Sequence, residues 1–469
     1  MKKFFKMASV LLSLSLVGTM LSACSGSVGV GGKNGGNTAT DVEIRLWKAG
    51  LGDEFLTKTI EAFNKSQTQY NVYFTSTANA NTAVTTLGLK DTDTVDLYCI
   101  INQMDTQWLE PLDDVLSSKD GDSTLKEKFD PAYLRLEQAS DGKYYTLTSG
   151  GGIIGLVYNT KLFEQAGIKQ TPRTTDELAV VCDTLLSKNI TPITHYNNGG
   201  YWNFISDVWE AQYDGYDYYF NNYYACKDDK GNSPSMDVFL KKDGRYQAIK
   251  AYEKFITPEY VLQGSNSYDF ITAQTYFLNG KAAIMANGSW LQNEMKDTSG
   301  VEGFEMMRTP VISAITDNCT TIKTDSLLRK VVDAVDSVLD GKKNAADYLN
   351  TEKNYNIGDQ TVSSADWDMI YNARTSISTN YSGTSFSIPK YSNAKEGAKE
   401  FLKFFYSDAG YKIVADTLHV PLPMKKASEK LDVSNWSNFE KNNYEIYLTA
   451  DNFASEYVMS KHPIFTSGN

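Results

Sequence analysis

Histidine is scarce in this 469-residue chain, which carries only His195, His419 and His462, and no Cys-x-x-Cys pair accompanies them. Zinc sites draw on clusters of such ligands, so no metal site is expected. A Ser-His-Asp triad would have to draw on three scattered rings. The phosphate cradle is missing too. Residues 29–36 are glycine-rich, but no strand precedes them and no Gly-Lys-Ser/Thr follows, and Gly150-Gly151-Gly152 also lacks the lysine. Asp91 opens a stretch like an EF-hand loop, yet Val95 holds the fifth place and Asn102 the place of the closing glutamate. No Gly-x-Ser-x-Gly elbow occurs, and among 57 acids no pair is marked out for glycoside hydrolysis. No cofactor is implied. Positive charge is short as well: 45 Lys and Arg against 57 Asp and Glu leave a net charge of -12. No basic stripe is available to neutralise phosphates, which argues against nucleic acid as a partner.

Aromatic residues are plentiful, with 30 Tyr, 21 Phe and 7 Trp. They concentrate in residues 195–224, where each phenol needs a polar partner, so this stretch is expected to make a poor core. The length calls for two or more lobes. Residues 1–23 read as a secretory signal, with Lys2, Lys3 and Lys6 ahead of an apolar run from Met7 to Leu21 that is too short for a stable membrane span. Leu21-Ser22-Ala23-Cys24 resembles the lipobox of bacterial lipoproteins, which implies cleavage before Cys24 and lipidation of its thiol. Residues 24–40 then form a flexible tether, and the folded part sits outside the membrane. Of the remaining cysteines, Cys99 lies in an apolar run and Cys182 on an apolar helix face, so both read as buried free thiols.

Beyond the tether, periodicity alternates between strand and helix. Val42 to Trp47 alternates as a strand, Phe55, Leu56, Thr59, Ala62 and Phe63 share a helix face, and Tyr70 to Thr75 is a second strand. Residues 94–101 form a continuous apolar run, as in a strand covered on both faces. The pattern indicates an α/β fold with a largely parallel sheet. Thr174 and Glu177 have capping-box spacing ahead of a helix bearing Leu178, Val181, Cys182 and Leu185. Leu327 to Leu339, Ala365 to Arg374 and Ala394 to Phe405 read as further helices.

The most informative stretch runs from Tyr276 to Trp290. A helix ends at Asn279-Gly280, a short apolar strand from Ala282 to Met285 follows, and Asn287-Gly288-Ser289 turns the chain to present Trp290. The carboxyl ends of strands in open α/β sheets are where ligands bind. Trp290 is therefore either a stacking surface or a core residue.

Short matches in one order resemble the extracellular sugar-binding proteins of bacterial ABC importers, the group that includes maltose-binding protein. They comprise Val95-Asp96-Leu97 with Trp108 to Leu112, Asp141-Gly142-Lys143-Tyr144, Tyr158 to Gly167, Pro172 to Leu178, Phe277 to Trp290, Ala394 to Tyr406 and Val420 to Pro423. The resemblance implies a two-lobed periplasmic-binding-protein-like fold of type II, with a hinge and an interlobe cleft. One lobe would be 41–148 plus 305–387, in which 311–386 is an enlarged helical segment, and the other 149–304 plus 388–469. Ser149 to Gly152, Glu305 to Met307 and Ser387 to Pro389 would be the crossings. It further implies capture of a mono- or oligosaccharide without chemistry, by hinge closure, and delivery to separate permease and ATPase subunits.

Trp290 resembles the family's stacking tryptophan, with Trp47, Tyr201 and Trp202 on segments that line the cleft in relatives. Asn287, Asn102, Gln103, Asn198 and Asn203 would bond the sugar's hydroxyl rim. The chain departs from the pattern in lacking an acid immediately after Trp47, unless Asp53 substitutes. Asn102 and Gln103 also stand where other members carry an aromatic and an acid. Alternatives are a surface glycan-active hydrolase, a binding protein for a non-sugar solute, and one serving a sensor partner.

Overall fold

The computed structural model describes residues 38–48, 50–77, 95–101, 106–196, 200–233, 235, 237–238, 243–298, 303–381 and 383–455. The signal sequence, Cys24, most of the tether, Asn102, Gln103 and Asn198 lie outside them.

The first strand, Thr40–Trp47, sends Val42, Ile44 and Leu46 into the core. On its other face Arg45 donates to Thr75 at 2.9 Å. It pairs in parallel with Tyr70–Thr77 and with Leu97–Ile101. Thr384–Ser387 and Leu147–Gly150 complete a five-stranded sheet as antiparallel additions. The helix Glu54–Ser66 covers this sheet with Phe55, Leu56, Ile60 and Phe63. Packed against it are Lys395–Phe405 and Asp408–Leu418, with Phe63 edge-on to Phe401 at 5.5 Å and Phe386 edge-on to Phe405 at 4.9 Å.

In the second sheet the strand Ile153–Asn159 is central. One edge pairs with Ile284–Gly288. The other edge is shared end to end by Ser376–Thr379, through Ile153 and Ile154, and Phe304–Met307, through Leu156 to Asn159. Its core joins Leu178, Cys182 and Leu185 to Trp202, Trp209 and Phe255, and to Leu328, Val331, Val332 and Trp367. Two sheets, each with its own helices, make the expected two-lobed α/β fold.

The sheet pairing corrects the division of the later chain. Phe304–Met307 hydrogen-bonds within the second sheet, and residues 311–373 supply the second core, so neither belongs to the first lobe. The amphipathic helix Asp325–Leu339 buries Leu328, Val331, Val332 and Val335 there, and Val311 N–H donates to the Arg173 carbonyl at 2.8 Å. Conversely, residues 395–418 cover the first sheet rather than the second. The second crossing therefore falls between Thr379 and Thr384, where the chain leaves one sheet for the other, and not at Glu305 to Met307. The third follows Leu418 rather than Ser387, because Asn452–Ala454 returns to the second sheet.

The first two crossings run side by side. Gly152 N–H donates to the Asn380 side-chain oxygen at 2.7 Å, and Asn380 N–H to the Gly152 carbonyl at 3.1 Å. A Cβ on Gly152 would fall 1.9 Å from Ser289 Oγ, so any larger residue here would force the Ser289 side chain to shift. The aromatic stretch corrects a second expectation. Trp202, Trp209 and Tyr219 are fully buried; some polar tips of the stretch find backbone partners, while Trp202 Nε1 finds none among the described residues. Trp209 Nε1 donates to the Pro310 carbonyl at 3.0 Å, the Tyr216 hydroxyl to the Phe453 carbonyl at 2.8 Å, and Ser455 N–H to the Tyr224 oxygen at 2.8 Å. Cys99, Cys182, Cys226 and Cys319 are all buried free thiols. No helix among the described residues is long and apolar enough to cross a membrane.

Candidate functional site

At the end of Ile284–Gly288 the chain turns through Ser289 and Trp290 into the short helix Leu291–Glu294. The indole folds back over Gly288, where a Cβ would meet the ring at 2.1 Å. No other residue type fits beneath it. Trp290 is 6% exposed and packs with Ile154 and Phe204, bordered by Tyr201 and Leu51. The Tyr201 ring stands edge-on at 5.7 Å.

Leu51 comes from the other lobe, on the loop that follows the first strand. That loop is tied to the short helix by Asn293 Nδ2, which donates to the Gly50 carbonyl at 2.8 Å. Trp290 therefore lies in the seam between the lobes. Beside it Glu294 accepts from Gln274 Nε2 at 2.8 Å, and burial holds its carboxyl above the usual range against the lowering effect of that bond.

The sequence-based candidates divide into three groups. Trp290 and Tyr201 meet at the seam, and Asp53 lies on the same loop as Leu51, ion-paired with Lys48. Trp47 ends the first strand but packs on Val95, Tyr98, Ile100, Leu109 and Tyr145, within its own lobe. Trp202, Asn287 and Asn203 do not take the places expected. Trp202 is fully buried against Trp209 and stacks on Phe255 with ring centres 6.2 Å apart, so it is a core residue. Asn287 is fully buried, and its Oδ1 accepts from the Gly288 N–H at 2.7 Å, so it shapes the turn. Asn203 is exposed on the rim of a different recess of about 250 Å³.

Sequence reasoning missed Gly50, Leu51, Phe204 and Asn293. A general signal existed for Gly50 and Leu51: they follow the carboxyl end of a parallel strand. No group of three or more His, Cys, Asp or Glu able to hold a metal ion occurs among the described residues.

Residues 49–314 match the family of bacterial extracellular solute-binding proteins. The chain belongs to that family. Similar to this solute-binding protein is the maltotriose-binding protein of Pyrococcus abyssi, 29% identical over a match covering 40% of this chain and 35% of the relative. The match thus spans about a third of that relative's length. The fold is similar to the apo form of RafE from Streptococcus pneumoniae, with 15% identity, a TM-score of 0.59 and coverage of 91% of this chain and 90% of RafE. It is also similar to maltose-bound MalE3 of T. maritima, with 15% identity, a TM-score of 0.57 and coverage of 92% and 96%. These neighbours share the two-lobed architecture.

Proposed function

We propose that this solute-binding protein captures a mono- or oligosaccharide in the seam between its lobes and passes it to a separate ABC permease and ATPase. It performs no chemistry, and a lipid on Cys24 anchors it at the outer face of the membrane. The carrying observation is Trp290: a large aromatic ring at the carboxyl end of a strand, bordered by the opposite lobe through Leu51. A pyranose offers an apolar face of C–H groups and a rim of hydroxyls. Hinge opening would free the indole to stack on that face. The rim would be met by Asp53, Tyr201 and the residues Asn102, Gln103 and Asn198. Each buried hydroxyl left unpaired costs roughly 1–3 kcal/mol, so many polar groups must converge. The names of the maltotriose-binding relative and of maltose-bound MalE3 favour a saccharide over other solutes.

A thermal-shift screen over mono- and oligosaccharides tests the reading. A sugar at about 100 times its dissociation constant should stabilise the protein by ~2.7 kcal/mol. Trp290→Ala should lose that stabilisation. If no saccharide shifts the transition, or if a polysaccharide is turned over, the reading falls.

A further inference from the structure

All three crossings reach one small chamber. Ile153 follows the first crossing, Tyr381 stands in the second, and Val420 and Pro421 belong to the third; Ser289 and Asn443 complete the part of the wall that matters here. The Tyr381 hydroxyl donates to the Pro421 carbonyl at 3.0 Å, which ties the second crossing to the third. The Ser289 N–H donates to the Ile153 carbonyl at 3.0 Å, which fixes the residue before Trp290 beside the first. Asn443 lies on the helix Asn438–Leu448, which belongs to the second lobe: Met306 N–H donates to Asn442 Oδ1 at 2.8 Å, and Phe304 meets Phe439 edge-on at 4.7 Å. Ser289 and Asn443 are each 4% exposed. Yet the Ser289 hydroxyl and both ends of the Asn443 amide have no hydrogen-bond partner among the described residues. Buried polar groups are nearly always paired, so three unpaired atoms on two residues of one wall mark a place for a partner. The chamber measures about 10 Å³. That is on the order of the ~10–15 Å³ that one water centre needs, and too little for a sugar or an organic ion.

We propose that this chamber is a binding site for a single water molecule, which bridges Ser289 Oγ and the Asn443 amide and so braces the turn bearing Trp290 against the helix Asn438–Leu448 at the hinge. The wall offers an N–H donor, a carbonyl acceptor and a hydroxyl that plays either part. Water, donor and acceptor at once, matches all three. A monovalent cation would meet the two oxygens but face the Asn443 N–H donor, and an anion would leave the amide oxygen unpaired while bringing a charge into a buried site. Hinge motion is absorbed by backbone dihedrals in the crossings. A direct bond between the two side chains would have to keep one geometry while Val420 and Pro421 shift beside it. A bridging water re-forms its bonds instead, so the turn bearing the indole stays seated on its own lobe at any lobe angle. The site is the same whichever solute the seam takes.

An X-ray structure of the intact protein at a resolution that shows ordered solvent tests the site directly. One water is expected within about 3.2 Å of both Ser289 Oγ and an Asn443 amide atom. An empty chamber, or a direct bond between the two side chains, overturns the proposal, and this reading needs no variant to fold. In solution, oxygen-17 relaxation of the solvent counts long-lived internal waters. Asn443→Leu should lower that count by one, and an unchanged count is a second refutation. Denaturant unfolding of Ser289→Ala, Asn443→Leu and the double variant then measures the bridge. Independent losses multiply in the unfolding constant, whereas a shared water is lost only once, so the double variant should fall short of the product of the single effects by about threefold or more. A simple product would show that no water joins the two side chains.

Discussion

Trp202 and Trp290 are almost equally hidden from solvent, at 0% and 6% exposure, yet their surroundings differ in kind. Trp202 is covered by Phe255 and Trp209 from its own lobe. Part of what borders Trp290 is Leu51, carried by the other lobe. Burial within one packed body is permanent while that body is folded. Burial between two bodies joined by crossing strands can be undone by a hinge motion that costs no core. Low exposure alone therefore does not separate a core indole from a binding indole; the ownership of the neighbours does.

The largest effect that could break this comparison is Trp202→Ala. Removing a fully buried indole should cost ~3–5 kcal/mol of stability through lost burial and a cavity. Denaturant unfolding measures it, and a cost below about 1 kcal/mol would remove the distinction between the two indoles.

Next in size is the charge buried in the same lobe. The Glu210 carboxyl sits near 8 in the folded chain, well above the ordinary glutamic acid value. A raised carboxyl binds its proton more tightly folded than unfolded, so folding stability falls as pH rises from the ordinary carboxylate range towards 8. At about 1.4 kcal/mol per unit, the penalty reaches several kcal/mol. Glu210→Gln should remove it. The variant should be more stable than the parent by ~2–4 kcal/mol at pH 8 and show little gain near pH 4.5. Parallel denaturant curves at the two pH values read this directly, and an equal gain at both would contradict it.

Local signals were legible where neighbours in sequence decide the structure. Thr174 caps its helix by accepting from Glu177 N–H at 3.2 Å, half of the capping box that the spacing predicts; the Glu177 carboxylate accepts from Arg173 instead. The strand Thr40–Trp47 and the helix Glu54–Ser66 bury the faces that their periodicity marks. Trp290 follows a strand as its motif describes, but the strand runs Ile284–Gly288, so Asn287 and Gly288 belong to it and the turn is confined to Ser289 and Trp290. Long-range partners were not legible. The phenols and indoles of residues 202–224 looked unsuited to a core because their acceptors, the carbonyls of Pro310 and Phe453, lie about a hundred or more residues away. Ownership of residues 305–379 and 388–418 failed for the same reason, while Thr384–Ser387 does lie in the first sheet as expected. An amphipathic helix such as Asp325–Leu339 announces that it has an apolar face, but not which sheet will cover it. The partners of Trp290 divide likewise: Tyr201 came from a matched segment, whereas Leu51 reaches it only through the closing of two lobes.

The smallest change offers the sharpest test of the seam. Asn293→Ala removes one neutral hydrogen bond to the Gly50 carbonyl, an interaction worth ~0.5–1.5 kcal/mol net. The transition temperature should hardly move. If the contact holds the lobes together over Trp290, amide hydrogen exchange in residues 289–294 should accelerate, because the short helix loses its tie to the opposite lobe. Exchange in Trp202–Asp214, closed within one body, should not change. Acceleration in both places would mean that the seam and the core open together, and that Trp290 is buried in the same sense as Trp202.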